Sequence, residues 1–346
     1  MIPAFRVISP GLGATLQDAG RYGYRQSGVP VSGPLDRIAF RLANGLVRNS
    51  AASTALEMLM LGPALEVIAE SVRVAMVGGS AAMTITTSSQ GERSIPAGRS
   101  IRLERGDALK IGSLDPALCG YLAVEGGFVA PEVLGSASTY TRSALGGLDG
   151  RMLQQGDVLA VVRGDAAIRS ELAMVRDIEA GFDRPIRIVP GPQDDFFTPG
   201  ALNSFLTETY MVSPQSDRMG FRLEGPTLEH AKGYNIVSDG IVSGSIQVPG
   251  DGKPIVLMVD SQTAGGYPKI ATVISADIPV LARRKPGRPV RFVAVTRDEA
   301  ENIRRAQEAE LQNDLANLRE IAEDVAIDLD ALHDANLIDG VVSALE

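Results

Sequence analysis

Glycine and proline punctuate this chain from end to end, with 37 and 20 of them among 346 residues. Between them lie short apolar runs such as VRVAMVGG, CGYLAVEGGF, DVLAVV, PIRIVPGP, PIVLMVD and PVRFVAV. Short runs rich in Val and Ile, bounded by these breakers, read as strands. Many short strands at close spacing predict a mainly β protein of barrels or sandwiches. Two segments depart from the pattern. PLDRIAFRLANGLVRN, residues 34–49, places apolar residues at 35, 38, 39, 42, 46 and 47, one face of a helix. Ser32 as a cap and Pro34 in the first turn mark its start. From Arg297 to about Ala326 the composition is again helical, with Leu311, Leu315, Leu318 and Ile321 three or four residues apart. The charged face of this helix either meets solvent or docks a partner subunit.

A second regularity points to duplication. RYGYR at 21–25 shares its frame with RMGFR at 218–222. VISPG (7–11) pairs with RIVPGP (187–192), LGPALE (61–66) with EGPTLE (224–229), and AGRSIRL (97–103) with PGRPVRF (286–292). Four matched strings in one order argue for an internal repeat. The expected organisation is a first β-barrel subdomain over 1–165 carrying the inserted helix 34–49, a second over 185–296, and a helical tail over 297–346. The strand pattern lapses near 163–185.

Composition excludes several classes. The net charge of −9 argues against nucleic acid as a partner. The single cysteine, Cys119, forms no intrachain disulfide and no cysteine-based metal site. With only His230 and His333, a histidine-rich metal site is not expected, and no bound metal is predicted. Cys119 reads as a buried strand residue and His230 as a strand-end residue. The start MIPAFRVISPGLG lacks a secretory pattern, and no long apolar stretch predicts a membrane span, so the expected location is cytoplasmic.

Chemistry concentrates in SDGIVSGSIQVPGDGKPIVLMVDSQTAGGYPKI, residues 238–270. Two glycine-rich turns flank a strand, with Ser243, Ser245, Gln247, Asp251, Gln262, Thr263 and Lys269 around it. Glycines permit positive φ and close approach of a ligand to backbone N–H groups. Lys269 would be a point charge for a carboxylate or phosphate. Asp251 or Asp260 could take a proton or hold a cation. The alternative is two tight hairpin turns with Lys269 solvated, and these residues alone leave both open. Arg218 either pairs locally with Asp217 or grips an anion with its fork. Arg142 lies in TYTRSALGG, a setting suited to an anion or to an ordinary surface loop. No nucleotide-binding glycine motif and no G-x-S-x-G elbow occur.

These strings together carry a resemblance. GATLQDAGRYGYRQSGVPVSGPLD, RLANGLVRN, YLAVEGGF, LGSASTYTRSALGG, SPQSDRMGFRLEGP and the 238–270 stretch resemble the allophanate hydrolase subunit 2 family, also called the biotin-dependent carboxyltransferase A/B domain. The match covers roughly residues 5–295 and leaves out the helical tail. It implies two cyclophilin-like β-barrel subdomains. It also implies work in a hetero-oligomer, whose partner is a subunit 1 homologue, the B component in a 5-oxoprolinase. Two activities occur in the family. One is the carboxyltransferase of urea carboxylases, which moves CO2 from carboxybiotin to urea. The other is the ATP-dependent opening of 5-oxoproline to glutamate by a 5-oxoprolinase built from A, B and C components. The chain carries no biotinyl string, so biotin is not expected on it, and a free-standing chain favours the oxoprolinase type, as its C component. A third reading is a regulatory module acting on a subunit 1 homologue.

The resemblance implies ATP as cosubstrate of the complex and a small-molecule amide as substrate. It points to Lys269, Asp251 and Gln247 as catalytic. Arg218, Gln262, Thr263, Gly265, Gly266, Tyr267, Ser245 and Arg142 are the expected substrate contacts, and Gly250 would expose a further N–H group.

Overall fold

The computed structural model describes residues 1–87, 91–178 and 183–321. The chain is mainly β, as the punctuated runs require. Strands from the first half form a seven-stranded sheet in which Ile2–Ser9 lies between Val158–Val161 and Ala64–Val67, all antiparallel. A five-stranded sheet packs with it, ordered Thr15–Gln17, Ala55–Leu59, Cys119–Val124, Ser71–Val77, Ser100–Glu104. Between these two sheets sits an apolar core that includes Phe5, Leu65, Met76, Leu109 and Leu122. The second half forms one eight-stranded sheet from Pro289–Val290 to Phe292–Ala294. Its strand Ile186–Pro190 runs antiparallel to Lys269–Val273 and parallel to Phe292–Ala294. The architecture is barrel-like in both halves.

Among the described residues, four helices accompany the sheets: α1 (Arg37–Leu46), α2 (Pro199–Thr207), α3 (Ile278–Ala282) and α4 (Arg297–Ala316). Helix α1 begins three residues later than the sequence suggests. Its cap is Asp36, whose Oδ1 accepts from the N–H groups of Ile38 and Ala39 at 2.9 and 3.1 Å. Ser32 lies outside the helix with φ of +55°. A carboxylate is as good a cap as a hydroxyl and sits where the backbone turns helical. The apolar face of α1, with Phe40, Leu42 and Leu46, joins a core that continues into the second half through Phe221, Ile246 and Leu281. The two halves thus share apolar surface.

Helix α4 opens on a capping box between Thr296 and Glu299. Its leucine stripe turns inward. Leu311 is buried, Leu315 and Leu318 pack on the shared core, and Leu315 lies so close to Gly45 of α1 that a Cβ there would meet it at 2.4 Å. Arg41 of α1 grips Glu308 with both arms at 2.9 and 2.8 Å. Those hydrogen bonds, above all from Arg41, pull the Glu308 carboxyl down to about 2. The stripe therefore docks within the chain. The helix ends before Asn317, and Arg319–Ile321 forms a short strand against Glu171–Ala173. The expected helix to Ala326 stops earlier, and its last residues, like His333 and the rest of the tail, lie outside the described residues.

The matched strings do not all occupy matching places. VISPG and RIVPGP both close the first strand of their half. AGRSIRL and PGRPVRF both feed edge strands. RYGYR and RMGFR differ: the first runs through irregular chain into a single 3-10 turn at Arg25–Ser27, the second through a turn into the strand Gly220–Glu224. Gly23 takes a φ of +95°, whereas Gly220 is an ordinary strand residue paired with Leu257. The shared frame does not mark equivalent positions.

Candidate functional site

The strand Ser245–Gln247 pairs with Lys269–Val273, and a register shift after Ile246 sets Gln247 opposite Lys269. Lys269 is not solvated: its side chain is buried, and Nζ donates to Asp239 Oδ2 at 2.8 Å. Asp239 keeps 52% of its side chain exposed, so the pair has one buried and one open end. Asp239 also accepts from the Gly240 N–H at 2.7 Å and from Gln193 Nε2 at 3.4 Å. The hydrogen bond from Lys269, followed by that of Gly240, holds the Asp239 carboxyl below its ordinary range. Gln193 also accepts from the Lys269 N–H at 3.1 Å through its Oε1. Gln247 donates to the Tyr267 carbonyl at 3.4 Å. A buried ammonium, a half-open carboxylate and two primary amides thus meet at the ends of two inner strands of the second sheet. Such a cluster can bind an amide and stabilise negative charge that develops on it.

The glycines act differently from expectation. Gly250, Gly265 and Gly266 do not adopt positive φ; in this region Gly244 and Gly252 do, at +94° and +71°. Gly265 is needed for space, since a Cβ there would lie 2.5 Å from Gln247 Nε2. Gly266 spends its carbonyl on the Ile236 N–H at 2.8 Å, and Thr263 spends its own on the Ile241 N–H at 3.0 Å. Ser245 is buried, and its hydroxyl accepts from the Val242 N–H at 3.2 Å. Tyr267 stands 41% exposed at the rim. Gln262 is exposed. Asp251 is also exposed and accepts from the Lys253 N–H at 3.1 Å, which closes its own turn. Asp239 and Gln193 are the residues the sequence did not flag. Asp239 lies in the singled-out stretch itself, directly before a glycine.

Arg218 requires a correction. It neither pairs with Asp217 nor presents its fork to a ligand. Nε donates to Asp260 at 2.7 Å, Nη2 to the Gly33 carbonyl at 2.8 Å, and Nη1 to Glu57. Burial opposes its charge, but the Asp260 and Glu57 carboxylates overcome this and hold the guanidinium protonated. Glu57 is fully buried and also accepts from the Tyr121 hydroxyl at 2.6 Å and the Leu35 N–H at 2.9 Å. Burial first, then Glu57, pushes the Tyr121 phenol well up. Tyr121 in turn accepts from the Asp36 N–H at 2.8 Å, and Asp36 pairs with Arg283. This chain of charges crosses between the halves and serves structure. Arg142 lies on the surface, 3.2 Å from Asp217. Cys119 is buried in its strand, and His230 stands at an isolated bridge with Nε2 3.1 Å from the Val248 carbonyl, as their sequence settings suggest.

Two barrel-like β halves sharing a core, with a polar cluster on two inner strands of the second sheet, define a class of fold that is also found in known enzymes. A family model for the carboxyltransferase domain, subdomain A and B, matches residues 27–294, and the chain belongs to that family. It is 36% identical over 303 residues to the C component of the 5-oxoprolinase of Escherichia coli K12, covering 88% of this chain and 95% of that protein. It is 33% identical over 332 residues to the urea amidolyase of Lachancea kluyveri, covering 89% of this chain but 18% of that protein. The crystal structure of the Kluyveromyces lactis urea carboxylase superposes with a TM-score of 0.82 at 31% identity, over 94% of this chain and 30% of that one.

Proposed function

We propose that this chain is the C component of an ATP-dependent 5-oxoprolinase complex that opens 5-oxoproline to L-glutamate together with the A and B components. The observation that carries the reading is the likeness to the corresponding E. coli protein along 95% of that protein's length. The site geometry is compatible with the chemistry. The lactam of 5-oxoproline is an unstrained amide, and ATP can activate it by phosphorylating the amide oxygen. Gln247 and Gln193 offer amide donors and acceptors to such a group. Lys269 supplies a fixed positive charge against the charge that develops there. Asp239 orients that ammonium from its half-open side. ATP is a cosubstrate of the complex, and its contacts are shared with the partner chains. The chain alone is inactive on this reading.

A second reading is the carboxyltransferase component of a biotin-dependent urea or amide carboxylase, favoured by the likeness to the urea amidolyase and urea carboxylase proteins. The same amide-binding cluster serves either reaction, because urea and 5-oxoproline both present an amide. The expected partner is the B component in the first reading and a subunit 1 homologue in the second. The test is reconstitution with the partner chains, with one assay for ATP plus 5-oxoproline and one for a carboxybiotin carrier plus urea. Glutamate formation that requires all three components and ATP is expected. Replacement of the buried ammonium, Lys269→Met, is expected to cut turnover by on the order of 100-fold with assembly intact, the usual cost of losing one charge-stabilising group. Urea-dependent transfer without oxoproline turnover would replace the first reading with the second. Wild-type turnover in Lys269→Met would remove Lys269 from the site.

A further inference from the structure

A cleft separates the RYGYR loop and the start of α1 from the second sheet. Residues 19–37 form one wall and 242–279 the other, around a cavity of about 330 Å3. The walls are largely apolar, with Val31, Leu35, Val259 and Ile278. Among the described residues, two cations line it, Arg25 and Arg37, and no carboxylate does. Neither arginine has an ion-pair partner among the described residues. Arg25 donates to the Ile241 carbonyl across the cleft, and Arg37 Nη2 donates to the Ser275 carbonyl at 2.7 Å and to Gln307 Oε1 at 3.3 Å. Burial first, then the neighbouring Arg304, lowers the Arg37 guanidinium to about 10. The Glu308 and Asp36 carboxylates offset this only in part, and neither forms an ion pair with Arg37.

Three polar atoms at this cleft have no hydrogen-bond partner among the described residues: Arg37 Nε, Ser32 Oγ and Ser243 Oγ. Buried polar atoms in native proteins are nearly always satisfied, and the exceptions ask for a reason. Ser32 is only 3% exposed and holds a φ of +55°, a left-handed conformation that disfavours a side chain. Its N–H is tied across the cleft to the Val259 carbonyl at 3.1 Å. A serine kept strained by its surroundings, with its hydroxyl unspent beside a cavity, is the kind of residue that gathers at ligand sites.

We propose that this cleft binds a small organic carboxylate. Its acid group takes the unspent donors of Arg37, Ser32 and Ser243, and its carbon body lies against Val31, Leu35, Val259 and Ile278. The volume is at the lower end for small-molecule pockets, which sets the size at a single ring or short chain. Apolar walls argue against inorganic phosphate, which has no carbon surface to bury. The cleft is separate from the Lys269 cluster and does not rest on the reaction proposed above.

The purified full chain should bind cyclohexanecarboxylate saturably in a calorimetric titration, and bind cyclohexanecarboxamide and inorganic phosphate at least about tenfold more weakly. Arg37→Met should weaken the acid at least about tenfold. Ser32→Gly removes the hydroxyl and relieves the strained φ, so binding should fall several-fold while the melting temperature does not drop. Lys269→Met should bind the acid as the wild type does, which separates this site from the reactive cluster. Three outcomes overturn the proposal: no saturable binding of the acid, binding of carboxamide or phosphate as tight as that of the acid, or wild-type affinity in both Arg37→Met and Ser32→Gly.

Discussion

Arg21 and Arg218 open the same five-residue frame, yet the protein uses them in opposite ways. Arg21 is buried and spends its donors on backbone carbonyls: Nε on Val133 at 2.8 Å, and Nη2 on Ser138 at 2.9 Å and Ser136 at 3.3 Å. It pins one loop of the first half to another. Arg218 is clamped between two carboxylates, Asp260 of its own half and Glu57 of the other. The first is a local staple and the second joins the two halves. A short sequence match fixes residue types; the partners come from chain segments far away, and those decide the role.

The comparison can be broken by removing each arginine. Arg218→Leu strands two buried carboxylates without a counter-charge, and such a loss costs about 3–5 kcal/mol. Arg21→Leu leaves carbonyls unpaired but also removes a buried charge that no carboxylate bonds, so its cost should be nearer ~1–3 kcal/mol. Urea denaturation of both variants measures the gap. Equal losses would show that the Glu57–Asp260 clamp adds nothing beyond ordinary hydrogen bonds.

A smaller effect separates the same two regions by pH. Burial pushes the Asp18 carboxyl up, but hydrogen bonds from the Ser136 and Ser138 hydroxyls at 2.6 Å each, and from the Gly20 and Ala137 N–H groups, outweigh it, and the net shift is downward. A carboxyl depressed by folding contributes stability that is present above its unfolded value, near pH ~4, and is lost as pH falls through the folded value. Asp18→Asn should therefore be less stable than wild type at neutral pH. The difference should shrink in acid below about pH 4. Stability curves of both proteins across that window test it, and a difference that stays constant with pH would show that Asp18 is not held ionised by these donors.

Much of the fold was legible, and less of the site. Gly and Pro fix strand ends locally, so the short Val- and Ile-rich runs report strands wherever they occur. The helix 34–49 was visible from its apolar spacing, but its start was not, because Asp36 and Ser32 are both good caps and the backbone turns helical only after Asp36. Lys269 and Gln247 were visible because both lie in one stretch that must turn back on itself. Asp251 and Gln262 share that stretch and face solvent, and nothing in spacing alone separates them from Gln247. Glu57 went unread although ALEML holds a charge inside an apolar strand, a signal that demands a buried partner. The cleft could not be read at all: residues 19–37 and 242–279 meet only when the two halves pack.

The smallest expected effect concerns Arg142, the loop arginine that reaches Asp217 beside Arg218. Both side chains are more than half exposed, at 60% and 53%, and water screens such a pair. Arg142→Ala should change stability by no more than about 0.5 kcal/mol, and a double-mutant cycle with Asp217→Ala should return a coupling within the same range. The pair nevertheless bridges the two halves at the surface, a solvated counterpart of the buried Arg218–Glu57 contact. If Arg142 contacts the substrate of the assembled complex instead, Arg142→Ala will lower turnover at least about tenfold while leaving stability unchanged, and the arginine moves from surface ion pair to ligand contact. If turnover and stability are both unchanged, this surface pair adds nothing to the buried contacts that join the halves, the Arg218–Glu57 pair among them.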